Sequence, residues 1–494
     1  MKGLRAVGGL AAASWLACAG PPPATLPPVD RAPGAEPVAV RFALPAAAEL
    51  ASVPARVVFV SIAGLSARAY RSPDGLGSRM PNLAALAEAG ASADAVVPVT
   101  PASPGPVHAT LATGRTPAAH GIGSDRPLRA KGTDAARYRE ATAIRVPALW
   151  QLARAAGAST ALIGWPTSVG AAADWVYPEL FPARLGEASP ELLEGRATPA
   201  LLAAARRLGA DRPEAGFPGP ARDEILAGLT CELLAGPSPP RLTLLRLSQT
   251  EAPLERVGPV GPELAAAFAG ADAALGRVLS CLADAGRLAE TAFVVTGDVP
   301  VAPVHTLIQP NVALAAAGLI VPGPRSRTGI SRWDAVARSN GTSAFVYARD
   351  SETALLARRA LREAARVTLA FRIVSAEEML ALGADREAWF GLEAFPGHAF
   401  GDGLRGDSLV IPSAARGAWG ALGGVASREV GFVAWGSGVR GPIRIPELRQ
   451  TDVAPSVARL LGIALPDADG RALVGVMHVP PAGVGAPPGP NGAR

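Results

Sequence analysis

The side chains able to do chemistry in this 494-residue chain are few and scattered. Glu251 and Glu255 stand four apart, which on a helix places them on one face. Their hard oxygens suit a divalent cation; equally, they make a solvated pair partly neutralised by Arg246 and Arg256. Asp298 follows an apolar run. It would either ligate the same cation or cap the following segment by accepting loop hydrogen bonds. Ser103 is a potential nucleophile, and His108, read alone, has the type of a metal ligand. Cys231 and Cys281 both fall in apolar helical patterns, so a disulfide and two small core thiols both fit them. The formal net charge is only +5. With no basic run and no aromatic-interleaved basic patch, nothing favours nucleic acid as a partner.

Those groups need a scaffold, and the hydropathy pattern supplies one. Hydrophobic residues make up 49% of the chain and charged residues 18%, enough for a sizeable core. Short apolar runs read as buried strands at residues 57–62, 160–163, 242–245, 292–295, 344–347 and 431–434. Helical periodicity lies between them; Leu275, Val278, Leu279 and Leu282 share one face of a segment running from Leu264 to Leu282. Strands alternating with helices predict a mostly parallel sheet covered on both faces. In such folds ligands gather beyond the carboxyl ends of the strands.

Four segments, in order, resemble the type I phosphodiesterase/nucleotide pyrophosphatase branch of the alkaline phosphatase superfamily. They are Val57–Gly64 with Met80-Pro81-Asn82-Leu83; Pro106–Pro117 continuing through His120-Gly121-Ile122; Val146–Trp150 with Gly164-Trp165-Pro166; and Thr451–Ser456 with Asp469-Gly470-Arg471. The resemblance covers roughly residues 55–475. It implies a three-layer α/β/α sandwich with a central, mostly parallel sheet. It also implies a chemistry in which two metal ions activate a Thr or Ser nucleophile and stabilise a transferring phosphoryl group.

Carried over residue by residue, that machinery is largely replaced. The first metal Asp of the family falls at Ala63. The nucleophile falls at Pro104, which has neither a side-chain nucleophile nor an N–H, with Ser103 beside it as a substitute. The Asn that helps hold phosphate falls at Val107. The Asp and His of the next pair fall at Glu251 and Glu255. Of the following Asp-His pair, Asp298 is kept and the His is Val299. The final metal His aligns with Trp419, or with His398 on a shifted alignment. His108 and His120 match structural turn positions, while His305 and His398 otherwise read as loop residues.

The chain begins with a short basic start and an apolar stretch from Ala6 to Ala17, the pattern of a secretory signal. Trp15-Leu16-Ala17-Cys18 resembles a bacterial lipobox, in which Cys18 would carry lipid. The expected organisation is a signal peptide over 1–18, a Pro-rich tether over 19–51, one α/β/α domain over 52–476 with a smaller αβ subregion near 325–395, and a disordered Pro/Gly tail over 477–494. No later apolar run reads as a membrane span. The expected protein is an exported, lipid-anchored pseudoenzyme of the bacterial periplasm or envelope. It needs no cofactor, and it binds or scaffolds a protein or small molecule at a membrane. The alternative is a phosphoric ester hydrolase in which Asp298, Glu251 and Glu255 hold a divalent metal such as zinc and Ser103 attacks.

Overall fold

The computed structural model describes residues 43–72, 80–128, 137–180, 189–323, 329–404, 408–423 and 430–478. The signal segment with Cys18, most of the Pro-rich stretch and the Pro/Gly tail lie outside them. Contacts gather the described residues into one unit.

The chain first lays down β1 (Arg56–Ile62), β2 (Ala91–Val97), β3 (Thr160–Ile163), β4 (Trp175–Tyr177), β5 (Leu242–Leu247) and β6 (Thr291–Gly297). A region of smaller sheets follows: β7 (Ala302–Ile308), β8 (Ile320–Pro322), β9 (Ile330–Trp333), β10 (Ala335–Ser339), β11 (Ser343–Ala348), β12 (Phe371–Val374), β13 (Phe390–Ala394), β14 (Gly397–Phe400), β15 (Val410–Pro412) and β16 (Gly417–Ala418). The chain then returns with β17 (Phe432–Gly436) and β18 (Ile443–Arg449). Eight strands form the central sheet in the order β18-β2-β17-β6-β1-β5-β3-β4. All its pairings are parallel except those of β17, which runs against β2 and β6.

Alternation along β1 shows why the sheet has two covered faces. Val58, Val60 and Ile62 pack into one core with Phe268, Leu275 and Leu279 of the helix Pro262–Asp284. Val57 and Phe59 point the other way, into a second core with Val107 and Leu111 of the helix Pro104–Thr113 and Val457 of the helix Val453–Leu461. Successive side chains leave opposite faces of a strand, so a strand buried on both sides needs the continuous apolar run Val57–Val60. The result is a three-layer α/β/α sandwich.

Three sequence expectations need correction here. The run at 344–347 is β11, in a separate four-stranded antiparallel sheet, β10-β11-β13-β12, and not in the central sheet. The helix Pro262–Asp284 is long and apolar enough to cross a bilayer, but it packs as a core helix with 56% of its most apolar window buried. His305 and His398 are not loop residues; they sit on adjacent parallel strands β7 and β14 with rings 5.6 Å apart. Cys231 and Cys281 are joined as a disulfide, Cα–Cα 5.7 Å, linking the helix Pro220–Ala235 to Pro262–Asp284.

Candidate functional site

Because β6, β1 and β5 are adjacent and parallel, the residues leaving their carboxyl ends must meet. Ala63 and Gly64 follow β1, Ser248 to Glu251 follow β5, and Asp298 and Val299 follow β6. The Thr250 hydroxyl donates to the Ala63 carbonyl and ties two of these turns together. Asp298 Oδ1 accepts from the N–H of Gly64 at 2.7 Å and of Val299 at 2.6 Å. Gly64 holds φ +60, and a Cβ there would stand 2.2 Å from Leu254, so only glycine offers its N–H so closely.

The centre of this cluster is a guanidinium. Arg246, near the end of β5, is fully buried. Its Nη2 donates to Glu251 at 3.0 Å and lies 3.5 Å from Asp298 Oδ2, while Nη1 donates to Glu179, just past β4. Arg137 reaches the other Glu251 oxygen at 3.5 Å. Arg256 takes no part; it pairs with Glu263. Burial works against the charge on Arg246, but Glu179, Glu251 and Asp298 outweigh it and hold the guanidinium more firmly protonated than usual. Burial also opposes the charge on Glu251, yet Arg246 and Arg137 keep its carboxyl below the ordinary range. Asp298 moves up, because burial exceeds what Arg246 and its two N–H donors return. Glu255 does not join the cluster. It turns toward a neighbouring cavity, and burial together with Glu251 pushes its carboxyl up. Glu251 is therefore paired with a fixed cation, while Glu255 faces the cavity.

The second half of the site is the start of the helix Pro104–Thr113. A helix N-terminus ordinarily presents free N–H groups that attract anions. Here Pro104 and Pro106 have none, and the N–H of Gly105 is taken by Asp125 Oδ1 at 2.8 Å. Ser103 is fully buried and its hydroxyl has no partner among the described residues. Val107 is buried in the core beneath. His108 donates from Nδ1 to the Pro104 carbonyl at 2.7 Å, so its Nε2 accepts from Ser61 Oγ at 3.0 Å. Those two residues have the spacing of a nucleophile and its base. Ser61 is fully enclosed, however, and Trp165 stands edge-on to the imidazole at 5.0 Å. Burial, with Arg246 nearby, keeps His108 neutral. His120 is likewise buried; it accepts from Ile122 N–H and donates to Thr110, with its pKa lowered to about 3.

The sequence matches the model for the type I phosphodiesterase / nucleotide pyrophosphatase family over residues 57–390. The chain belongs to that family. An inactive variant of murine ectonucleotide pyrophosphatase/phosphodiesterase 5 in complex with AMP shares the fold with a TM-score of 0.60. The match is at 16% identity and covers 84% of this chain and 97% of that one. The human protein of the same name matches with the same figures. No curated protein sequence matches the chain.

The family's metals can now be tested against the residues in place. Ala63 and Val299 are buried and apolar, and Trp419 is half-buried against the core. Of the three carboxylates at ligand positions, Glu251 and Asp298 already face a fixed cation, and Glu255 turns to the neighbouring cavity. No cluster of three or more His, Cys, Asp or Glu arranged for a metal occurs among the described residues. The donor set does not fit a two-metal centre. Sequence reasoning missed Glu179, Arg137 and Asp125 entirely, and weighed Arg246 only as a neighbour of Glu251. The available signal was Arg246 itself, a charge inside the apolar strand Leu242-Thr243-Leu244-Leu245-Arg246-Leu247. A buried arginine requires carboxylates around it.

Proposed function

We propose that this family member is non-catalytic and works as a binding or scaffold protein of a bacterial envelope, held to a membrane by lipid on Cys18. The observation that carries the first part is the buried Arg246 guanidinium among Glu179, Glu251 and Asp298. A fixed internal cation occupies the neighbourhood where the family resemblance places metal ligands, and it pairs with Glu251 and Asp298, two of the three carboxylates that remain. Asp125 does the matching thing at the helix N-terminus, where a substrate anion would otherwise find an N–H. Oxyanion and metal stabilisation supply most of the rate in such reactions; the internal engagement of both sets of groups supports a non-catalytic reading. The anchoring part is supported by the leader and the lipobox-like Trp15–Cys18 alone.

The test is metal content and turnover together. After incubation with zinc, manganese or calcium and dialysis, the full chain should retain less than about a tenth of an equivalent of metal, and it should leave bis(p-nitrophenyl) phosphate intact. Stoichiometric metal lost on Asp298→Ala, with hydrolysis, would overturn the proposal. Cys18→Ala should release the protein from the membrane fraction; a variant that stays bound refutes the anchor.

A further inference from the structure

Bordering the closed site, and sharing Asp125 and Arg137 with it, a cavity of about 350 Å³ opens between Glu255 and the smaller sheets. It is large enough for a small organic ligand. Its described lining carries three arginines and three carboxylates, so the charges balance. Part of the hydrogen-bonding capacity of that wall is unspent. Arg137 meets Glu251 only at 3.5 Å. Asn340 is 6% exposed, and both its Oδ1 and Nδ2 lack a partner among the described residues. Burying an amide with neither end bonded costs on the order of 1–3 kcal/mol, which marks Asn340 as waiting for a partner. Trp419 packs on the core and also borders the cavity, offering an aromatic surface at one wall.

We infer that this cavity binds a neutral saccharide. This rests on the non-catalytic reading above and names its ligand. A phosphate or other anion would meet Glu255 and Asp402 as well as the arginines, so it gains little from the balanced wall. An apolar ligand would leave the planar polar groups unsatisfied. Vicinal hydroxyls each donate and accept, so they match carboxylate, guanidinium and carboxamide groups at once, without net charge. The C–H face of a pyranose ring lies well against an indole, whose ring face is electron-rich. Arg137 and Asn340 would hold hydroxyls from opposite sides, Trp419 would carry the ring, and Glu255 would accept.

The experiment is calorimetric titration of the full-length, detergent-solubilised chain with a β-1,4-linked N-acetylglucosamine trimer, with maltotriose and with AMP. At least one saccharide should bind more tightly than AMP. Trp419→Ala should weaken it at least tenfold, Trp419→Phe should retain most of the affinity, and Asn340→Leu should weaken it with the fold intact by circular dichroism. Failure of both saccharides to bind, tighter binding of AMP, or indifference to Trp419→Ala each overturns the saccharide assignment. Hydrolysis of bis(p-nitrophenyl) phosphate in the same preparation would instead overturn the non-catalytic reading, and the titration would still report on the cavity.

Discussion

Replacing Arg246 with methionine keeps a flexible unbranched stem, though a shorter one, and removes the charge. Three carboxylates then lose their common counter-ion. At an effective dielectric of about 20, each close pair is worth roughly 4 kcal/mol of attraction. Removing one partner of a buried ion pair typically costs about 3–5 kcal/mol, because the other charge stays behind without compensation. Asp298 is fully buried, so it cannot recover that loss by turning to water. Its pKa is already raised by burial and would rise further without Arg246. Glu251, now held low by Arg246 and Arg137, would rise as well. A carboxyl whose folded pKa exceeds its unfolded value destabilises the fold when ionised and stops doing so as it takes up a proton. The loss should therefore be about 3–5 kcal/mol at pH 8 and clearly smaller at pH 5. Urea unfolding followed by circular dichroism reads this; at a slope of about 3 kcal/mol per molar urea, the midpoint falls by about 1 M or more at pH 8. The freed carboxylates should also accept a divalent cation. At a hundred times its Kd, manganese would return about 2.7 kcal/mol to the variant and leave the parent unchanged. A midpoint within about 0.3 M of the parent at pH 8, or an equal loss at both pH values, would refute the idea that Arg246 neutralises this cluster.

Further outcomes follow from the same structure. Pro104→Thr restores a hydroxyl at the family's nucleophile position, yet bis(p-nitrophenyl) phosphate should stay at the buffer rate, because Ala63 and Val299 supply no metal ligand; turnover in the single variant would contradict that. The disulfide Cys231–Cys281 spans a sequence separation of 50. Loop entropy predicts that the double serine variant loses up to about 4 kcal/mol in the unfolding free energy, and an unchanged midpoint would argue against the pairing. Asp272 reaches from the helix Pro262–Asp284 to accept the N–H groups of Asn82 and Leu83 at the start of the helix Pro81–Ala89. Burial pushes its pKa to about 6, offset in part by those donors, so its folded form holds a proton more tightly than the unfolded chain. Its contribution should raise stability by about 3 kcal/mol as the pH falls from about 6 to about 4, and Asp272→Asn should flatten unfolding curves over that window relative to the parent.

The covered sheet was legible in the chain because its inner strands advertise themselves. Val57–Ile62, Leu242–Leu247 and Thr291–Gly297 are apolar on both faces, which only a strand between two layers tolerates. The edges gave no such signal. β18 contains Pro446, which cannot donate to a ladder and is tolerated there because the strand lies at the sheet's rim. β2, the next strand inward, is built of Ala, Ser, Asp and Val and likewise has no long apolar run. The strand at 344–347 shows the limit of pattern reading: its composition is that of an inner strand, but its partners are β10 and β13 in another sheet. Periodicity specifies that a segment is buried and extended, not which neighbour buries it.

The sequence by itself determined which chemistry is missing. Ala63, Pro104, Val107 and Val299 cannot ligate a metal, attack phosphorus or hold a phosphate, and no tertiary arrangement gives them those abilities. What stands in place of the lost groups was decided only by folding. Glu179, Arg246 with Glu251, and Asp298 come from three separate segments, at the ends of β4, β5 and β6, and Asp125 lies well apart in sequence from the β1, β5 and β6 turns. Parallel pairing of β6, β1 and β5 delivers their ends to one edge, and burial there forces every charge to find its opposite. Charge pairing is a property of distance in space, so Glu251 and Glu255, neighbours along one helix, part company: one is held by Arg246, and the other faces the cavity.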